Sequence, residues 1–219
     1  ELTELISNCS MDNTYKMSWC KALVEYSCNH SDKKVHFDKL SELIFKYYWD
    51  QTIFFNLEQC SNLKKKPTII QIVKNEIEKY IKNYDQKPIN FIRIKDKINI
   101  DVKKISKTLT YDVSWRFLKL ENKTYDIYDY KKGDKHLVLK HPDLLKEHSR
   151  LLFQLINYRW SQKLEDLNNT PRISQKVRGV DRDKEPKRKS LKKFKSSLDL
   201  ENPNKICFIT DKPIPEKEL

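Results

Sequence analysis

The sequence predicts a mainly α-helical protein with a small antiparallel β-meander, an α+β arrangement. Three observations carry that expectation. Apolar residues recur at spacings of three and four through most of the first half. Three short runs rich in aromatic and β-branched residues follow one another between 115 and 140, separated by turn residues. Glycine occurs only at Gly133 and Gly179, which disfavours multi-stranded barrels and glycine-rich phosphate loops.

Around 14–28, Tyr15, Trp19, Leu23 and Tyr26 make one apolar face, with Asp12 or Asn13 placed to cap it. Phe37, Leu40, Ile44 and Tyr47 repeat the pattern around 36–49. The third helix opens after Pro67 at Thr68, carries a stripe of Ile69, Ile72, Val73, Ile77, Tyr80 and Ile81, and ends between Asn83 and Pro88. A weaker helix spans Asp101 to Leu109. The period then changes. WRFLKL (115–120), YDIYDY (125–130) and KHLVLK (135–140) read as three strands of one meander, joined by Glu-Asn-Lys and Lys-Gly-Asp turns. His141-Pro142 starts another helical section, one helix or two in sequence, reaching Leu167. Its expected buried side is Leu144, Leu145, His148, Leu151, Leu152, Leu155, Ile156 and Trp160.

These elements form a helical scaffold and recognition domain over 1–169. Residues 170–199 form a second region, predicted as a pair of basic helices. Thr170 is a suitable N-cap, Pro171 sits at the first helical position, and Gly179 closes the turn. Ile173 and Val177 make an inner face there, and Leu191, Phe194 and Leu198 make one in the second helix.

Charge is concentrated in the same region. The chain carries a formal +13, and 170–199 holds eleven basic side chains against four acidic ones. Lysine is plentiful throughout, so arginine is the better witness. Four of the eight arginines (Arg172, Arg178, Arg182 and Arg188) lie there, and the guanidinium fork suits phosphate. The expected contacts to a phosphate backbone are Arg172, Lys176, Arg178, Arg182, Lys187, Arg188, Lys189, Lys192 and Lys193. The expected partner is double-stranded DNA.

Several other classes find little support. Five scattered cysteines (Cys9, Cys20, Cys28, Cys60, Cys207), with no C-x-x-C pair, read as free thiols in a reducing cytoplasm. No apolar run approaches the ~18 residues of a membrane span, so no membrane partner is expected. No H-E-x-x-H, G-x-S-x-G, Walker or dinucleotide pattern occurs, and the five histidines show no metal-ligand spacing beyond a loose His141/His148. One alternative is a magnesium nuclease in which Asp112 and Asp129 hold the ion and Lys131 orients a water. Turn carboxylates in a lysine-rich chain give the same pattern. Another alternative is a non-catalytic protein-interaction or nucleic-acid-binding module. Beside DNA, a homodimer or a partner protein stays open as a partner.

The C-terminal third resembles the region leading into the catalytic core of bacterial HNH endonucleases of restriction or phage-defence type. The resemblance rests on Pro171-Arg172-Ile173, Lys176-Val177-Arg178-Gly179, Lys187-Arg188-Lys189-Ser190-Leu191, and Cys207-Phe208 with Asp211-Lys212-Pro213-Ile214. Trp115-Arg116-Phe117-Leu118 resembles an upstream element of the same proteins. The resemblance implies that residues 200–219 begin the HNH ββα hairpin, and that the catalytic Asp-His strand and the Asn/His helix lie past Leu219. It therefore implies phosphodiester hydrolysis of DNA by the intact protein, with magnesium or a similar divalent ion, and no catalytic residue within this chain. Where many such hairpins show C-x-x-C, this one reads Cys207-Phe208-Ile209-Thr210, so a structural zinc is not expected.

Overall fold

A computed structural model describes residues 1–61, 67–131, 133–168, 200, 202–206 and 213. The chain divides into two units, Glu1–Glu185 and Pro186–Leu219. The predicted basic helices at 170–199 lie outside the described residues.

The first unit is mainly helical, as its periodicity predicts, with two small antiparallel sheets where one meander was expected. Helix α1 spans Leu2–Asn8, α2 Tyr15–Asn29, α3 Phe37–Phe55 and α4 Thr68–Tyr84. The start of α2 follows the local chemistry, since the Asn13 side-chain oxygen accepts from the Tyr15 N–H at 3.0 Å. Both α3 and α4 stop at a residue in left-handed conformation, Asn56 at φ 45° and Asp85 at φ 49°. Asn and Asp tolerate that region better than branched residues do. Of the two arrangements left open after His141, one helix or two in sequence, the chain forms two, α8 (Pro142–Glu147) and α9 (Ser149–Asn168). None of the described helices is long and apolar enough to cross a membrane.

The core is aromatic. Trp19, Trp49 and Trp160 are fully buried together with Phe37, Phe45, Tyr47, Tyr48 and Phe117. Trp19 stacks on Phe37 at 5.6 Å, and the Tyr48 and Trp160 rings meet edge-on at 5.8 Å, which ties α2, α3 and α9 together. A buried polar network threads this core. Thr14 Oγ1 donates to Gln59 Oε1 at 2.7 Å, and Gln59 Nε2 donates to Gln51 Oε1 at 2.7 Å. Trp160 Nε1 completes it with a longer bond to Gln59 Oε1 at 3.4 Å.

Three expectations are corrected. Residues 115–117 are not strand. Helix α6 (Val102–Thr108) runs through a π-helical turn (Leu109–Val113) into α7 (Ser114–Phe117). Leu109, Val113 and Phe117, four residues apart, bury one side of that continuous helix. The aromatic content of WRFLKL read as strand because each helical piece is short.

The meander is also rearranged. Strand β4 (Tyr128–Asp129) pairs with β5 (His136–Leu139), as predicted for 125–130 and 135–140. The other edge of β5 is taken by β1 (Lys34–His36), which the periodicity had assigned in part to the helix at 36–49. Strands β2 (Lys119–Leu120) and β3 (Lys123–Thr124) form a separate hairpin. Gly133, at φ +98°, occupies the turn before β5, where the Asp134 N–H reaches the Lys131 carbonyl at 3.0 Å.

The third correction concerns the expected buried side of 142–167. Leu144, Leu151 and His148 are exposed, whereas Leu145, Leu152, Ile156 and Trp160 do face the core. The inward stripe is narrower than the run of leucines suggested.

Of the second unit, the described residues include an antiparallel bridge between Ile206 and Pro213. The Asn202 side chain bonds both polar backbone groups of Ile206, at 2.6 and 3.1 Å, and so mimics a neighbouring strand. The bridge brackets the segment read as the Cys207-Phe208 hairpin, whose residues lie outside the described set.

Candidate nucleic-acid interface

Among the described residues, the feature best suited to a polyanion grows out of the π-helical turn. There the Ser114 N–H reaches back five residues to the Leu109 carbonyl. Two tyrosines from the β4 region fix the turn. The Tyr130 hydroxyl donates to the Thr110 carbonyl at 2.6 Å, and the Tyr128 hydroxyl donates to the Ser114 carbonyl at 2.5 Å. Burial pushes the Tyr128 phenol well above its ordinary range, so it stays protonated and able to donate. Trp19 Nε1 donates to the same hydroxyl at 3.1 Å, so the turn is anchored to the core of α2.

With one side held this firmly, the other is presented outward. Tyr111 and Trp115 are exposed, and Trp115 Nε1 donates to the Tyr111 carbonyl at 2.8 Å, which fixes the indole on the helix. Two cations lie over that indole, the Arg116 guanidinium carbon at 5.1 Å and Lys119 Nζ at 5.2 Å from the ring centroid. An exposed indole flanked by cations can stack on a base while its neighbours meet phosphate oxygens.

Arg116 also lines a cleft of about 590 Å³ with Asp112, Lys16, Asn13, Tyr15 and Thr68. The cleft lies at the start of α4, where Pro67 offers no side-chain cap and the Tyr15 hydroxyl takes the Ile69 N–H at 2.8 Å. Arg116 and Asp112 form a loose, exposed pair at 4.0 Å, which a phosphate could displace at small cost.

The structure places the predicted residues unevenly. Arg172, Lys176, Arg178, Arg182, Lys187, Arg188, Lys189, Lys192 and Lys193 all lie outside the described residues. Asp112 lies in the cleft beside Arg116. Asp129 lies on β4, where Lys140 Nζ stands 2.6 Å from its carboxylate. Lys140 also reaches Asp126 at 3.7 Å, so its charge serves two turn carboxylates. Among the described residues, no three His, Cys, Asp or Glu side chains gather closely enough to hold a metal ion. Cys9, Cys20, Cys28 and Cys60 are free thiols, and burial pushes the Cys20 thiol far up, which makes it an inert core group.

No family model, curated protein or solved structure matches the chain.

The resemblance drew attention to Trp115-Arg116-Phe117-Leu118, but the sequence reading named none of Trp115, Arg116, Tyr111, Lys119 and Lys16 as a contact to nucleic acid. Reading 115–120 as a strand put Trp115 and Lys119 on one sheet face and left Tyr111 in a separate loop. The available signal was the spacing of four between Tyr111 and Trp115, which sets both on one helix face; Lys119 lies beyond the helix, on β2.

Proposed function

We propose that this chain is a DNA-binding portion of an HNH-type endonuclease, with the catalytic groups supplied by the rest of the intact protein. The observation that carries the proposal is the exposed Trp115 bearing Arg116 and Lys119 on its ring. It falls within the Trp115-Arg116-Phe117-Leu118 element on which the resemblance partly rests. The division of labour is simple. Cationic side chains supply sequence-independent affinity through displaced counterions, and the indole and Tyr111 add contacts to bases or sugars. Arg178 and Arg188 belong to the same proposal through their charge density in the sequence.

Anisotropy titration of a labelled duplex at several salt concentrations tests the reading. Arg116→Glu, and separately the pair Arg178→Glu and Arg188→Glu, should weaken binding. Each should also lower the slope of log K against log salt, by roughly one per phosphate contact removed. Unchanged affinity at every salt concentration would refute the assignment of these residues.

A second reading, a protein-interaction module, draws on a different observation. Leu144 and Leu151 lie exposed along an apolar cavity of about 470 Å³, together with Leu2, Ile127, Leu145 and Leu152. Retention of nucleic-acid binding after Leu151→Glu separates that surface from the cationic one.

A further inference from the structure

The sheet carries a second site, independent of the nucleic-acid reading. His36 on β1 and His136 on β5 are direct cross-strand partners in the antiparallel register. The bonds flanking them, Phe37 N–H to the Lys135 carbonyl and Leu139 N–H to the Lys33 carbonyl, belong to the hydrogen-bonded rungs of the ladder. Rungs alternate along an antiparallel pair, so His36 and His136 form a non-hydrogen-bonded rung. Facing side chains approach most closely there, with Cα atoms about 4.5 Å apart. Both rings therefore rise from the same face, with centroids 5.9 Å apart. Val35 and Leu137, one residue along, are buried on the opposite face, which leaves the imidazoles on the open side.

We propose that His36 and His136 together bind a divalent transition-metal ion, with water filling its remaining positions. An imidazole nitrogen sits about 2.0–2.1 Å from such an ion, which places each ring centroid roughly 3.2 Å away. Two rings at a tetrahedral angle then have centroids about 5.2 Å apart. The observed separation exceeds that by less than about an ångström, within reach of χ rotation of the exposed His36 and the half-buried His136. The strands hold the two Cα atoms, so little backbone order remains to be lost on binding. Nearby on the same face stand Lys34 and Asp129, both opposite Val138, and Asp129 is held by Lys140. With two imidazole ligands the site favours borderline ions in the order of their nitrogen affinity, Cu²⁺ above Ni²⁺ and Zn²⁺. An ion there clamps β1, the segment between α2 and α3, to β5.

Calorimetry of the full chain with Ni²⁺ alone tests this. One equivalent should bind at pH 7.5. His36→Gln and His136→Gln should each weaken binding at least tenfold, and the double variant should abolish it. His30→Gln should leave binding intact. Binding that survives in the double variant would overturn the site, and so would a single variant that retains wild-type affinity. Circular dichroism of each metal-free variant guards against misfolding. As a check needing no substitution, Ni²⁺ should broaden the ring signals of His36 and His136 before those of His141 and His148. Simultaneous broadening of all four would count against the pair.

Discussion

The hydroxyl of Tyr128 lies 2.5 Å from the carbonyl oxygen of Ser114, and with the Tyr130 bond to Thr110 it ties the small sheet to the π-helical turn. The same hydroxyl accepts from Trp19 Nε1, so a single phenol satisfies two buried groups from two helices. Tyr128→Phe keeps the ring and strands both. It should destabilise the protein by about 1–3 kcal/mol in urea unfolding. Tyr130→Phe, at a less buried position, should cost about 0.5–1.5 kcal/mol. A neutral Tyr128→Phe would mean that the turn is held by its own backbone.

Burial makes Asp50 a pH-dependent liability. Desolvation pushes its carboxyl up to about 6, against the lowering influence of the bond it accepts from the Phe91 N–H at 2.8 Å. Between its ordinary value near 3.8 and about 6, the folded state holds a proton that the unfolded chain has released. Stability from this group is therefore fully present below about pH 4 and lost as pH rises through 6. Asp50→Asn retains the acceptor and removes the charge. It should stabilise the protein at pH 8 by roughly 1–3 kcal/mol, with the difference from wild type vanishing near pH 3.5. Thermal unfolding of both proteins across that range reads it directly.

The Gln59 side chain bonds Thr14, Gln51 and Trp160 in a site closed to water. Gln59→Leu would leave those partners facing a hydrocarbon. A loss of about 2–4 kcal/mol is expected from unpaired buried polar groups. Exposed Gln154→Leu, a comparable change outside the network, should lie within about 0.5 kcal/mol of wild type.

Gly133 tests backbone preference with no packing involved. A Cβ added there would meet nothing within 4 Å, yet its φ is +98°. Gly133→Ala should therefore cost about 1 kcal/mol through conformation alone. No cost would show that the turn relaxes to negative φ.

Much of the helical scaffold was legible, because α3, α4 and α9 bury apolar residues at helical spacing, whereas α2 carries the same spacing but is buried on nearly all sides. Two kinds of information were hidden. Strand β1 is only three residues long and joins β5 from about a hundred positions away in sequence, so no local pattern announces it. The π-helical turn displaces the apolar face of 102–117 partway along, which made one helix look like a weak helix followed by a strand. The candidate interface was half legible for the same reason. Trp115 and Arg116 were named through the resemblance, but the alignment of Tyr111 with Trp115 depends on that turn, and Lys119 joins them from β2. Leu144 and Leu151 misled in the opposite sense, as apolar residues on a helix face that the fold leaves uncovered.

The most direct measurement uses the four tryptophans. Trp19, Trp49 and Trp160 are fully buried, and Trp115 is 38% exposed, so quenching of indole emission by an added ligand reports chiefly on Trp115. If the cationic face around Trp115 grips nucleic acid, emission should fall saturably as duplex or single-stranded DNA is titrated in. The fall should weaken steeply with salt and be nearly absent in Trp115→Phe. Emission that stays constant while DNA binds, or a fall that persists undiminished in Trp115→Phe, would contradict the account.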